Sequence, residues 1–117
     1  MDELVKTRQE EKLTRDVCWV LSAEWGQSVF ANIAAAEQVQ MDQMQYTLDQ
    51  CGFVDPLMSN QIGVFPDPAC ASRYKRLVAF GSKSSTAALR VGAIIEDLDI
   101  FDLPENAAVD ENGVVLP

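Results

Sequence analysis

The chain has 117 residues, enough for one domain but too few for two. Its net charge of −9 and pI near 4.2 argue against nucleic acid or an anionic membrane surface as a partner, because both attract basic surfaces. No apolar run approaches the roughly 18 residues of a membrane-spanning helix, and the polar start MDELVKTRQEEK is not a secretory signal. We therefore expect a cytoplasmic protein.

Two residue types limit the chemistry further. The three cysteines, Cys18, Cys51 and Cys70, form no CxxC pair, and we expect buried, reduced thiols. The sequence contains no histidine, which excludes histidine bases and the commonest nitrogen ligand of metals. Any chemistry here must use carboxylates, thiols or the backbone.

Helical periodicity begins near the N-terminus. The first predicted helix runs from about Asp2 to Trp25 and ends at Gly26, which suits a left-handed helix end. Ser28 is the predicted N-cap of a second helix that ends at Gly52. The short connection predicts that these two helices form an antiparallel hairpin.

The second half of the chain contains two more predicted helices. A turn-rich connector follows Gly52, and then Asp67 and Pro68 mark the start of a short helix that ends at Gly81. A further helix begins at Ser84 or Ser85, and we divide the chain into a helical domain of residues 1–104 and an irregular tail of residues 105–117. The predicted class is all-α.

One glutamate in each of three helices falls on a side predicted to face the core. Glu37 is aligned at helical spacing with Ile33, Met41 and other apolar residues, and Glu10 is aligned with Leu13 and Val17. Glu11 is turned about 100° away from Glu10. In the last helix, Glu96 shares one side with Leu89, Gly92 and Ala93.

Clustered carboxylates need a cation, shared protons or basic partners, because burial and mutual repulsion disfavour their ionised form. One interpretation is therefore a metal site with hard oxygen ligands. The alternative is that the glutamates lie at the edge of the bundle or pair with Lys12, Arg15 or Arg90.

Five segments, EEKLTRDV, SVFANIAAAEQVQMDQM, CGFVDP, GVFPDP and VGAIIEDLDIFDL, resemble in content and order an uncharacterised ferritin-like domain family related to the rubrerythrins. The resemblance covers residues 9–103. It implies an antiparallel four-helix bundle with a di-iron-type carboxylate centre, for which iron or manganese is the cofactor. The implied metal ligands are Glu10 or Glu11, of which the helical spacing prefers Glu10, together with Glu37 and Glu96.

The sequence departs from the family pattern at two places. The ExxH motif that begins at Glu37 has Gln40 in place of histidine, and an amide oxygen does not replace imidazole for iron. The family's last helix has no counterpart before Pro117. Three explanations are open: the sequence is part of a longer protein, it is a short variant without a metal centre, or two chains pair to cover the bare face.

Two functions follow as hypotheses. The first is a ferritin-like bundle with a degenerate carboxylate centre, which has no catalytic residue and associates with itself, most simply as a homodimer. The second is a metal-binding di-iron or manganese oxidase-type protein that uses Glu10, Glu37 and Glu96.

Overall fold

Four α-helices make up most of the described fold. The computed structural model describes residues 3–97, 108–109 and 115–116, with side chains for residues 3–95. Predictions that concern Asp2, residues 98–107 or the side chain of Glu96 lie outside the described residues. The elements are α1 (Glu3–Trp25), α2 (Ser28–Cys51), α3 (Pro68–Gly81), α4 (Ser85–Asp97), β1 (Ala108–Val109) and β2 (Val115–Leu116).

The two strands form a small antiparallel ladder, in which Ala108 is paired with Leu116 and Val109 with Val115. The prediction of an irregular tail is therefore wrong at these four residues. The sequence missed the ladder because two-residue strands are too short to show an alternating pattern. The division of the chain after residue 104 stays a prediction.

Helices α1 and α2 form the predicted antiparallel hairpin, joined by only Gly26 and Gln27. Arg8, near the start of α1, donates a hydrogen bond to the carbonyl oxygen of Met41, near the end of α2 (3.2 Å). The predicted cap of α2 is wrong by one residue. Gln27 occupies the N-cap position without a side-chain hydrogen bond, and Ser28 is already helical.

The other helix ends follow the sequence closely. Gly52 ends α2 in the left-handed conformation (φ 74°), and its N–H bonds back to the helix. Asp67 caps α3 by accepting a hydrogen bond from the backbone N–H of Ala69, and Pro68 is the first helical residue. These predicted boundaries are confirmed.

The hydrophobic core forms around α1, which packs against the other three helices. Gly81 allows α3 to approach α1 closely, because a Cβ atom at this position would lie 2.8 Å from Leu21 Cδ2. No helix among the described residues is long and apolar enough to cross a membrane. The core cluster contains Leu13, Val17, Cys18, Leu21, Phe30, Ala34, Phe65, Cys70, Leu77, Ala88, Val91 and Ile95.

Two of the three thiols belong to this core. Cys18 and Cys70 are free and buried, whereas Cys51 is free and exposed, contrary to the prediction for that residue. Burial raises the pKa of Cys70 to about 12, so this thiol stays protonated at neutral pH. Cys51 is the last residue of α2 and is exposed although it shares a helix face with the buried Leu48.

A buried lysine attaches the connector, residues 52–67, to α1. Lys12 is fully buried, and its Nζ donates hydrogen bonds to Asp16 Oδ2 (2.7 Å), to the carbonyl oxygen of Gln61 (2.6 Å) and to that of Val64 (2.8 Å). Burial lowers the pKa of Lys12, and the hydrogen bond with Asp16 opposes that shift. The ammonium group therefore replaces its lost hydration with three protein oxygens.

Two buried arginines continue this attachment on either side of the lysine. Arg15 donates to Asp16 Oδ1 (2.8 Å) and to the side-chain and backbone oxygens of Asn60 (2.7 and 3.0 Å). Arg8 forms an ion pair with Asp55. Burial raises the pKa of Asp55, but the hydrogen bonds from Arg8 and from the backbone of Leu57 outweigh burial, and the net shift is downward.

Asp16 also fixes the tightest turn of the connector. Its Oδ2 accepts a hydrogen bond from the backbone N–H of Gly63 (3.1 Å). Gly63 has φ 82°, and a Cβ atom there would lie 3.0 Å from the ring of Tyr74. The turn therefore requires glycine for both its backbone conformation and its contact with α3.

We predict that Lys12→Met destabilises the protein by about 3 kcal/mol, because the buried Asp16 loses a cation and the carbonyl groups of Gln61 and Val64 lose their donor. The free energy of unfolding is measured by urea titration at pH 7. Lys75→Met, at an exposed position of α3, is the control and should change stability by less than about 0.5 kcal/mol. Equal stability of the two variants would contradict the role given to Lys12.

We predict that Gly81→Ala destabilises the protein by roughly 1–3 kcal/mol, because the new methyl group overlaps the fully buried Leu21. Gly92→Ala is the matched control. Its Cβ would lie 3.4 Å from Phe30 Cε1, and the helix propensity of alanine offsets this contact. Thermal unfolding followed by circular dichroism compares the two variants. A midpoint for Gly81→Ala at or above that of Gly92→Ala would show that Leu21 moves aside at no cost.

Candidate carboxylate site

A cleft of about 250 Å³ lies between α1 and α2. It collects three of the four residues that the sequence predicted as metal ligands: Glu10, Glu37 and Gln40. The polar lining comes from the first two helices, and α4 contributes one apolar residue. The lining residues are Thr7, Glu10, Glu11, Thr14, Glu37, Gln40 and Ile95.

The α1 side of the cleft follows from helical spacing. Residues 7, 10, 11 and 14 follow one another at intervals of three, one and three positions, so they form one strip along α1. The sequence placed Glu10 inward and turned Glu11 aside, and the second part of that expectation is wrong. The cleft is wide enough to be lined by both neighbours, which a single-stripe projection does not represent.

The α2 side is formed by the degenerate motif. Glu37 is half-buried and Gln40 is exposed, and both side chains line the cleft because they are three residues apart on one helix. The described structure therefore brings the first two positions of the implied ligand set together. The amide oxygen of Gln40 is an acceptor at the position where the ferritin-like pattern that the sequence resembles would have imidazole.

The carboxylates of this cleft are partly desolvated. One oxygen of each of Glu10, Glu11 and Glu37 is closed off from solvent. Oε2 of Glu11 also receives no hydrogen bond from a described residue, and burial raises the pKa of Glu11, although the nearby Arg8 acts in the opposite direction. The arrangement favours a proton or a cation at Glu11 at a pH where an exposed glutamate would be ionised.

Glu96 belongs to α4, but its side chain lies outside the described residues. The preceding residue, Ile95, lines the cleft, so the backbone at Glu96 is next to it. Of the three residues that predicted its inward direction, Gly92 is buried, whereas Leu89 and Ala93 are exposed. The role of Glu96 stays a prediction.

The donor set matches some metals better than others. Three carboxylates and one amide supply hard oxygen atoms, which suit manganese and other hard divalent cations. The sequence has no imidazole to complete an iron centre. Within residues 3–95, no group of three histidine, cysteine, aspartate or glutamate side chains has the geometry of a formed metal site.

A second cleft, of about 300 Å³, lies between α2 and the connector. Its lining includes Arg8, Asp42, Asp55 and Met58. Arg8 is already paired with Asp55, and Asp42 accepts a hydrogen bond from Gln38 (2.9 Å). The charged residues Arg8, Asp42 and Asp55 of the second cleft are thus paired or hydrogen-bonded within the chain.

The basic residues proposed as alternative partners of the glutamates are engaged elsewhere. Lys12 and Arg15 bind Asp16 and the connector, and Arg15 also donates to Gln38 (2.9 Å). The pairing of the glutamates with Lys12, Arg15 or Arg90, which the sequence left open, stays a prediction.

This chain belongs to the family described as uncharacterized protein domain DUF2202, whose sequence pattern matches residues 1–115. The uncharacterized protein MJ0754 of Methanocaldococcus jannaschii is 48% identical to it over 100 residues, which cover 86% of this chain and 54% of that protein. The crystal structure of the hypothetical protein MJ0754 from Methanococcus jannaschii resembles the present structure with a TM-score of 0.77 at 45% identity.

The structural match covers 88% of this chain and 62% of the MJ0754 chain. The chain therefore spans about half to three-fifths of the length of the relative that it matches. The comparisons confirm the predicted membership of a domain family of unknown function and the helical fold.

We predict that Glu11→Gln removes a pH-dependent loss of stability. Because the folded-state pKa of Glu11 lies above its ordinary value of 4.5, the folded protein binds more protons than the unfolded chain just above that pH. Its stability therefore falls as the pH rises through this window. Urea titrations at pH 4 and pH 7 in the presence of a chelator should show the variant close to wild type at pH 4 and more stable at pH 7.

The control for this experiment is Glu24→Gln, at an exposed position of the same helix that bonds to the Ser82 hydroxyl group. Its pH dependence should follow that of the wild type. If Glu11→Gln shows the same pH dependence as Glu24→Gln, the ionisation of Glu11 carries no folding penalty.

Proposed function

We propose that this chain is a ferritin-like helical domain with a degenerate carboxylate centre, which binds a hard divalent cation without oxidase turnover and associates with itself. The observation that supports the proposal is the convergence of Glu10, Glu11, Glu37 and Gln40 on one cleft. A cytoplasmic location agrees with its two buried, reduced thiols.

The cation would be held by this chain's own oxygen atoms. Glu10 and Glu11 would act from α1, and Glu37 and Gln40 from α2. Manganese(II) fits such donors better than iron, because an all-oxygen set lacks the imidazole that the family pattern provides. Bound charge would also keep the partly desolvated carboxylates ionised.

The absence of turnover rests on the same donor set. In a ferritin-like centre, two metal ions supply redox and oxygen chemistry, and glutamates and histidines from all four helices hold them. This chain has glutamine at position 40 and no histidine anywhere in its sequence. The remaining glutamates can orient one cation and exclude some water from it, but they provide only part of a two-metal ligand set.

A second candidate is a di-iron or manganese oxidase-type protein that uses Glu10, Glu37 and Glu96. The observation in its favour is the contact of Ile95 with the cleft, because residue 96 follows directly. Association of two chains would have to supply the further ligands that this activity needs.

We predict that the protein binds manganese(II) near one equivalent, and that Glu37→Gln weakens binding at least about tenfold because a charged ligand is replaced by a neutral one. Calorimetric titration gives the affinity, and the electron paramagnetic resonance signal of free manganese gives an independent measure. Glu24→Gln is the control and should bind as wild type does.

Two outcomes would contradict this proposal. Absence of stoichiometric binding, or equal binding by Glu37→Gln and Glu24→Gln, would leave the cleft without a cation. Oxygen consumption by the iron(II)-loaded wild type above that of iron in buffer, lost in Glu37→Gln, would instead favour the oxidase-type function.

A further inference from the structure

Positive and negative residues occupy different parts of this chain. Residues 16–67 contain seven acidic residues and no lysine or arginine. Residues 68–95 contain five basic residues and no aspartate or glutamate. These five are Arg73, Lys75, Arg76, Lys83 and Arg90.

The fold keeps the two groups on separate helices. The acidic segment forms the end of α1, all of α2 and the connector, whereas the basic segment forms α3 and residues 85–95 of α4, which then ends with Glu96 and Asp97. Helices α2 and α3 each pack against α1, and α3 also packs against α4. Among the residues whose side chains the structure describes, 3–95, the charged residues of α2 are acidic and those of α3 and α4 are basic. We call these the acidic side and the basic side.

The outer side of α2 carries a regular stripe of exposed residues. Three apolar and two acidic members lie on α2 at intervals of four and three positions, which is the spacing of one helix face that packs against another helix. The sixth member, Phe53, follows the last residue of α2 by two positions. Val39, Tyr46 and Phe53 are 55%, 66% and 65% exposed, which is high for large apolar side chains. The α2 stripe consists of Ala35, Val39, Asp42, Tyr46, Asp49 and Phe53.

The basic side, on α3 and α4, carries positive charges. Lys75, Arg76 and Arg90 form no ion pair with any residue in the described part of the chain, and Lys83 is exposed. Leu89, on α4, is 47% exposed and adds an apolar contact. We define the basic face as Lys75, Arg76, Lys83, Leu89 and Arg90.

We propose that the α2 stripe of one copy binds the basic face of a second copy, with Asp42 and Asp49 next to Lys75 and Arg76. This inference rests on the self-association in the proposed function and names the two surfaces that form it. The net charge of −9 makes copies repel in most orientations, so an attractive contact must join the acidic side to the basic side.

The contact is heterologous, because the two surfaces differ. Copies joined in this way form closed rings or open chains rather than an isologous pair. The exposed apolar residues of the stripe would be covered at the same time, which provides the attraction that charges alone lack at physiological salt.

The test is sedimentation velocity over a range of protein concentrations, with circular dichroism to confirm that each variant is folded. Wild type should associate in low salt (about 20 mM) and dissociate in high salt (about 500 mM), where exposed charges are screened. Asp42→Lys/Asp49→Lys should raise the dissociation constant about tenfold. This variant carries less net negative charge than wild type. If association depended only on the general repulsion between copies, the variant would therefore associate more tightly than wild type.

Lys75→Glu/Arg76→Glu is the reciprocal variant and should also fail to associate with itself. A mixture of the two variants should associate again, because the lysines of one then face the glutamates of the other. The control, Glu24→Lys, changes charge on α1 outside both surfaces and should retain wild-type association.

Three results would overturn the inference. These are a monomeric wild type at all concentrations in low salt, association that persists in both double variants, and a mixture that stays monomeric although each variant is folded. Manganese binding by the double variants reports on the cleft separately, since neither variant alters Glu10, Glu11 or Glu37, so failure of one proposal is distinguishable from failure of the other.

Discussion

The buried carboxylate of Asp16 is the interaction on which the arrangement of this protein depends. It accepts hydrogen bonds from Lys12, Arg15 and the backbone of Gly63, and thereby joins the middle of α1 to a connector that has little secondary structure of its own. A connector of this length is ordinarily mobile. Here the buried cations Lys12 and Arg15, which also bond to connector carbonyl groups, hold the connector in one conformation. Removing either cation would leave the negative charge of Asp16 less well neutralised.

The same helix presents two different charged surfaces. The basic residues at positions 8, 12 and 15 recur at intervals of four and three and contact the connector. The strip of residues 7, 10, 11 and 14 lies about one residue's rotation away and lines the carboxylate cleft. Helix α1 therefore differs from an amphipathic surface helix with one apolar side. It is a central helix that buries Lys12, Arg15 and Asp16 toward the connector and turns the half-buried Glu10 and Glu11 toward the cleft.

The sequence predicted the elements whose causes are local. The left-handed glycine at the end of α2 and the Asp67–Pro68 start of α3 depend on residues within one turn, and both are confirmed. Interactions between distant residues were less accessible. Lys12 binds carbonyl groups about fifty positions away, and no local sequence feature indicates this contact. Lysine is also rarely buried in folded proteins, so burial at this position was not expected. Glu11 was misplaced because a projection on one stripe ignores the width of the cleft.

Helix α2 carries acidic residues on two of its sides. Their surroundings differ, and this difference determines which kind of cation can neutralise each carboxylate. Glu37 and Asp42 are separated by about 140° around the helix, so one lines the cleft and the other is exposed. A carboxylate in a confined, partly dehydrated space is best matched by a small ion that enters without a side chain. In the proposed contact between copies, the exposed carboxylates beside Tyr46 would be matched by long basic side chains that also cover the ring. Because residues 16–67 contain no basic residue, positive charge must reach α2 from another helix, another copy or a bound cation. The buried cations of α1 that reach this segment are already committed to Asp16 and Asp55. The proposed cation at the cleft and the proposed contact of the stripe with a basic helix would each bring positive charge to α2, at two different sides of the helix.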